Sequence, residues 1–110
     1  LYYEEWDWSM RLMKAGYNIF YQPAALIYHK ESMSVGKNST LKTYYLSRNR
    51  ILFMRRNCSM LQLAVFTVFY SVLTFPKTVL CYLFKGDIAS LKVYMKAVWW
   101  NFVNSKQSAV

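Results

Sequence analysis

Residues 1–30 read LYYEEWDWSMRLMKAGYNIFYQPAALIYHK, and the fold expected of the chain turns on how they are read. Glu4, Glu5 and Asp7 cluster where a helix is expected to begin, and negative charge there suits the positive end of the helix dipole. Arg11 and Lys14 fall toward its end and Gly16 is a natural left-handed stop, so the pattern predicts a helix over residues 4–15. Trp8, Leu12 and Ala15 give it an i, i+4, i+7 apolar stripe. Residues 17–21 are β-rich and bounded by Gly16 and Pro23, and residues 24–28 form a second short apolar run. The stretch ends on His29, the one histidine in the chain, followed by Lys30. It reads as one helix–strand unit carrying carboxylates at one end and an imidazole at the other.

Outward from this unit, residues 31–40, ESMSVGKNST, form a polar loop. A helix is expected from Ser39 or Thr40, either of which can cap it, to about Asn57, and it carries Arg48, Arg50, Arg55 and Arg56. An uncharged run follows from Asn57 to Pro76 and continues past Lys77 to Phe84. Gly86 and Asp87 break the pattern, and Asp87 can cap a last helix over residues 88–103. The tail SKQSAV is expected to be disordered. The divisions are therefore residues 1–38, a basic connecting helix at 39–57, apolar and amphipathic helices at 58–104, and a tail at 105–110.

With 110 residues, the chain has the size of one small domain. It starts at Leu1 in what reads as the middle of a motif, and it has no glycine-rich phosphate loop. The expectation is the C-terminal part of something longer. Residues 1–7 hold three of the five acidic residues and no base; the other 103 hold all 14 Lys and Arg with only Glu31 and Asp87, a charge of +12. A basic body that is 55% hydrophobic and 19% aromatic points to an anionic membrane surface or a phosphorylated partner. Nucleic acid is disfavoured, because the aromatics sit in uncharged runs rather than among the basic residues. Cys58 and Cys81 lack metal-ligand spacing and are read as free, buried thiols.

The run from residue 57 to 76 is long enough to cross about 30 Å of hydrocarbon as a helix. Against a simple span stand a polar stripe (Gln62, Thr67, Ser71, Thr74, Thr78), an interruption at Pro76 and Lys77, and basic residues on both flanks. These features favour a helix lying in the membrane interface, or a shallow hairpin bent at Pro76. In the last helix Lys92 and Lys96 lie opposite Leu91, Tyr94, Met95, Val98, Trp99 and Phe102, again an interfacial pattern, with core packing as the alternative.

Adjacent on a helix, Glu4 and Glu5 diverge by about 100° and cannot face each other across a bond as a glycosidase pair must. One of them can point into a cleft as a lone general base. Composition alone favours a solvated acidic first turn, and a lone His beside Tyr28 is more often structural.

The order of the motifs changes that weighting. Residues 3–8 (Tyr-Glu-Glu-Trp-Asp-Trp), Arg11, Ala15-Gly16-Tyr17, Pro23-Ala24-Ala25 and Tyr28-His29-Lys30 resemble the C-terminal half of the catalytic domain of family 2 glycosyltransferases, in the rhamnosyl- and galactofuranosyltransferase-like branch. The pair Tyr44-Tyr45 with Arg48-Asn49-Arg50 resembles the segment after that domain. The resemblance covers residues 1–57 well and the later helices loosely. It implies an α/β fold, the end of a GT-A (Rossmann-like) domain, followed by a mostly α-helical amphipathic region. It implies an inverting transfer of a sugar from a nucleotide-sugar donor to a hydroxyl on a lipid-linked or cell-envelope glycan at the cytoplasmic face of a bacterial-type membrane. Glu5 falls at the position of the general base, although the family more often has Asp there. Asp7 and Arg11 fall on positions that support this motif; Asp7 joins Glu5 as catalytic, and Glu4 and Arg11 are expected among the substrate- or phosphate-binding residues. His29 falls where some members bind a divalent ion, Mg or Mn, that holds the donor diphosphate, with Lys30 and Arg48 near the phosphates. By this resemblance the family's Asp-x-Asp metal motif and nucleotide-binding first half are missing, so the enzyme is incomplete in this chain and the chain alone is expected to be inactive. The alternative is a non-catalytic basic membrane-interface module.

Overall fold

The computed structural model describes residues 2–28 and 39–104. It is built from helices: α1 (Glu4–Lys14), α2 (Thr40–Asn57), α3 (Met60–Phe69), a π-helical turn (Tyr70–Thr74), α4 (Phe75–Phe84) and α5 (Ile88–Val103). Among the described residues there is no strand, so the α/β, Rossmann-like expectation is overturned in favour of an all-helical fold. The error lies at residues 17–28, which are irregular, exposed and interrupted by a turn in which the Ala25 amide donates to the Gln22 carbonyl at 3.1 Å. Aromatic and β-branched content supplies propensity for a strand, but a strand exists only where a neighbour pairs with its backbone, and no described segment does so.

Helix ends follow their local chemistry. Gly16 at φ +86° and Gly86 at φ +67° close α1 and α4 with paired backbone bonds: Tyr17 N–H to Leu12 O and Gly16 N–H to Met13 O, and Asp87 N–H to Tyr82 O and Gly86 N–H to Leu83 O. Ser39 caps α2 by accepting from the Lys42 amide, and Asp87 caps α5 by accepting from the Ser90 amide at 3.0 Å. Ser59 and Gln62 form a reciprocal capping box at the start of α3, so Gln62 belongs to a helix start rather than to a polar stripe.

The apolar run does not bend back at Pro76. Helical structure is unbroken over the 25 residues Met60–Phe84, and the π-helical turn ends one residue before Phe75-Pro76. Proline carries no N–H for the preceding turn and its ring crowds the carbonyl four residues back; one wider turn accommodates both without ending the helix. By length and composition this helix can cross a membrane; only 6% of its most apolar stretch is buried, although one side of it supplies Phe66, Tyr70, Phe75, Val79 and Tyr82 to the core.

The core is small. Tyr70, Tyr94 and Val98 form its centre, with Ile51, Phe66, Phe75, Val79 and Tyr82 packed around them. The Tyr70 and Tyr94 hydroxyls, 24 residues apart in sequence, bond at 2.8 Å. The most extensive helix contact is α2 with α5. Asn101, buried on α5, donates to the Arg48 and Ala97 carbonyls at 3.1 Å each, and Arg55 donates to the Asn101 and Asn104 carbonyls at 2.9 and 3.3 Å. Arg55 thereby satisfies carbonyls that the last turn of α5 leaves without intrahelical partners. The apolar face expected on α5 is divided: Tyr94 and Val98 are core, whereas Trp99 and Phe102 are 68% and 70% exposed.

Candidate functional site

The carboxylate helix is fixed to α2 by polar contacts, not by its apolar stripe. Asn57, buried near the end of α2, donates to Asp7 Oδ1 at 2.8 Å and to its own helix at Phe53 O, and accepts from Lys14 Nζ at 3.5 Å. Two turns earlier, Asn49 donates to the Tyr2 carbonyl at 3.0 Å. Arg50 donates to the Tyr3 hydroxyl at 3.2 Å, and the Tyr3 ring lies 5.8 Å from that of Phe53. Positions 3, 7 and 14 thus share the face that meets α2, while Trp8, about 100° further round from Asp7, is 64% exposed. The stripe Trp8, Leu12, Ala15 lines an open surface groove together with Arg11 and Lys14.

Directly before Glu4, the backbone is strained. Tyr2 and Tyr3 have φ of +61° and +68°, left-handed values that non-glycine residues adopt at a cost of about 1–3 kcal/mol each. The bonds from Asn49 and Arg50 hold these two residues. They fix where α1 starts, and with it the direction of the carboxylates in its first turn.

A cleft of about 220 Å³ lies between this helix start and α2, lined by Glu4, Asp7, Arg48 and Arg56 among others. Three residues expected to act together, Glu4, Asp7 and Arg48, are therefore brought together. Glu5 is exposed and lies outside that lining, one residue round the helix, and Arg11 lines the groove with Trp8. His29 and Lys30 lie outside the described residues, as do the loop 31–38 and the tail 105–110.

Arg48 is held more firmly than a surface phosphate ligand would be. Its guanidinium carbon lies 4.8 Å from the centre of the Tyr45 ring and 4.7 Å from that of Trp100, and its Nε donates to Asn49 Oδ1 at 2.9 Å. Planar stacking of guanidinium on aromatic faces explains why Arg and not Lys stands here. The same Asn49 that bonds Tyr2 orients Arg48, so the helix start and the cation beside it share one support.

For the divalent ion, no group of three His, Cys, Asp or Glu among the described residues could hold a metal. The donor set near α1 does not by itself form a metal site, and no step is assigned to one. The thiols are free, but they are not buried as expected: Cys58 is half-buried with its Sγ 3.6 Å from Met54 Sδ, and Cys81 is exposed.

Sequence reasoning missed Asn49, Asn57 and Asn101. Each is a poor helix former inside a helix, and each is buried with its amide tying that helix to another segment: Asn57 and Asn101 to a neighbouring helix, Asn49 to Tyr2 just before α1. Compared with known proteins, the chain matches no family model, no curated protein and no solved structure.

Proposed function

We propose that the chain is the membrane-facing part of an inverting glycosyltransferase, which moves a sugar from a nucleotide-sugar donor to a hydroxyl of a lipid-linked or cell-envelope glycan. The resemblance to family 2 glycosyltransferases motivates the reading, without the α/β architecture. One observation carries it furthest. An exposed carboxylate helix is locked, through Asp7–Asn57 and Tyr2–Asn49, to the helix that leads into the apolar run Met60–Phe84. That coupling holds an acid–base group at a fixed position relative to a membrane-seeking element.

In the proposed reaction Glu5 accepts the proton of the acceptor hydroxyl as its oxygen attacks the anomeric carbon. The bond to the nucleoside diphosphate breaks, the diphosphate leaves with the electron pair, and the configuration inverts. Asp7 and Asn57 position the helix. Arg48, beside Glu4 and Asp7, supplies fixed positive charge for the phosphate-bearing reactants. The apolar helix lies at the cytoplasmic leaflet with its exposed Val68, Phe69, Val72 and Leu73 toward lipid, and Lys85, Lys92 and Lys96 near anionic headgroups.

The test is transfer itself. The full-length transferase of which this chain is proposed to be a part is incubated with radiolabelled nucleotide-sugars and membrane lipid extract, and label is followed into the lipid phase. Incorporation from one donor is expected. Vesicle binding with no incorporation from any nucleotide-sugar would leave the non-catalytic membrane module as the function.

A further inference from the structure

A second cavity, of about 570 Å³, lies against a different face of α2 from the carboxylate cleft, between that helix, the π-helical turn, α4 and the start of α5. That volume is in the range of small-ligand sites. Lys42 and Arg50 from α2 and Lys85 from the end of α4 line it, and Asp87 is the one carboxylate among the described residues that do. Three cations less one carboxylate leave +2. The Asp87 carboxylate is already committed to the Ser90 amide at the start of α5. The Tyr70 and Tyr94 hydroxyls satisfy each other, and the Thr78 hydroxyl donates to the Thr74 carbonyl at 2.7 Å. These hydroxyls are thus spent within the fold; the charged groups that can meet a ligand are the Lys42 and Lys85 ammoniums and the Nη atoms of Arg50, whose Nε donates to the Tyr3 hydroxyl.

We propose that this cavity binds the phosphate or diphosphate headgroup of a lipid. A phosphomonoester carries about −1.5 to −2 charges at neutral pH, which matches the cavity, and Lys and Arg form short charge-assisted bonds to such oxygens. The source is a lipid because one wall belongs to the apolar helix. Thr74 and Thr78 face the cavity, and the helix ends at Phe84, 88% exposed, next to Lys85, which lines the cavity; the exposed Val72, Leu73, Leu80 and Leu83 lie about 100° or more round the helix from those threonines. A lipid whose chain packs at that end of the helix brings its headgroup to Lys85. Arg50 also reaches Tyr3 at the start of the carboxylate helix, so an occupied cavity adjoins the support of Glu5. The headgroup's role as the anchor of a glycan acceptor rests on the transferase reading; the binding does not.

The experiment therefore reads binding alone, so its failure and the failure of the transferase reading are told apart. The full chain is co-sedimented with phosphatidylcholine vesicles carrying either phosphatidic acid, a phosphomonoester, or phosphatidylglycerol, a phosphodiester, at matched surface charge. Wild type is expected to prefer the phosphomonoester by about tenfold or more. The cavity variant Lys42→Gln/Arg50→Gln/Lys85→Gln loses that preference, whereas Lys77→Gln, which removes a charge at an exposed position outside the cavity, keeps it. Should circular dichroism show the cavity variant unfolded, Lys85→Gln alone, at an exposed helix end, lowers the preference several-fold. Equal loss in Lys85→Gln and Lys77→Gln, or no preference in wild type, overturns the proposal in favour of diffuse surface attraction. Full displacement from vesicles by millimolar inorganic pyrophosphate overturns the lipid assignment in favour of a soluble phosphate.

Discussion

Tyr70 and Tyr94 show what a single buried contact does in so small a core. Their 2.8 Å bond joins the π-helical turn to α5, and both residues are under 10% exposed. Removing one hydroxyl leaves the other buried without its partner, at a cost of about 1–3 kcal/mol. Removing both costs less than the two single losses combined. Urea unfolding of Tyr70→Phe, Tyr94→Phe and the double variant checks this, with a coupling of about 1 kcal/mol expected. Asp87 gives a pH prediction at the same scale. Hydrogen bonds to Ser90, from its hydroxyl and its amide, hold the Asp87 carboxyl below the ordinary carboxylate range. A lowered folded-state value stabilises the protein above the unfolded carboxylate range, and that stabilisation is lost as pH falls through the folded value. Amide exchange at Ser90 is expected to accelerate over that acid window in wild type, and not in Asp87→Asn, which keeps a cap but does not titrate.

Among the elements, what could be read from sequence was what local chemistry decides. Helices over 4–14, 40–57 and 88–103 follow from Gly16, Ser39 and Asp87, whose signals act within one turn. The strands at 17–28 fail because pairing is not local. The continuous helix through Pro76 was hidden because a π-helical turn has no side-chain signature of its own. The contacts of Asn49, Asn57 and Asn101 were equally illegible, although an Asn inside a helix marks a position where some partner outweighs propensity. Gly86 tests the capping account. An added Cβ there meets nothing within 4 Å, so the cost of Gly86→Ala is purely conformational at φ +67°. We expect a loss of about 1–2 kcal/mol, seen as a lower Tm with unchanged helix content. An unchanged Tm would mean that the joint between α4 and α5 does not depend on its left-handed residue.

At the scale of the whole molecule, the fold has a polar seam and an apolar outside. Asparagine and arginine bonds join α1 to α2 and α2 to α5, while Met60, Leu61, Val65, Phe84, Trp99 and Phe102 are exposed. Exposure on that scale marks an interaction surface. In the proposed function the charge pattern has this meaning: a basic body brings an apolar layer to an anionic surface and holds an acidic helix start at a fixed place beside it. The most direct test of this account is the initial rate of sugar transfer by the full-length transferase with Glu5→Gln and, separately, Glu4→Gln. Glu5 is exposed, so its substitution leaves the fold intact, and loss of a general base is expected to lower the rate by about 10²–10⁴-fold. Glu4→Gln is expected to retain transfer within a few-fold. Wild-type rates in a folded, vesicle-bound Glu5→Gln protein would contradict the account.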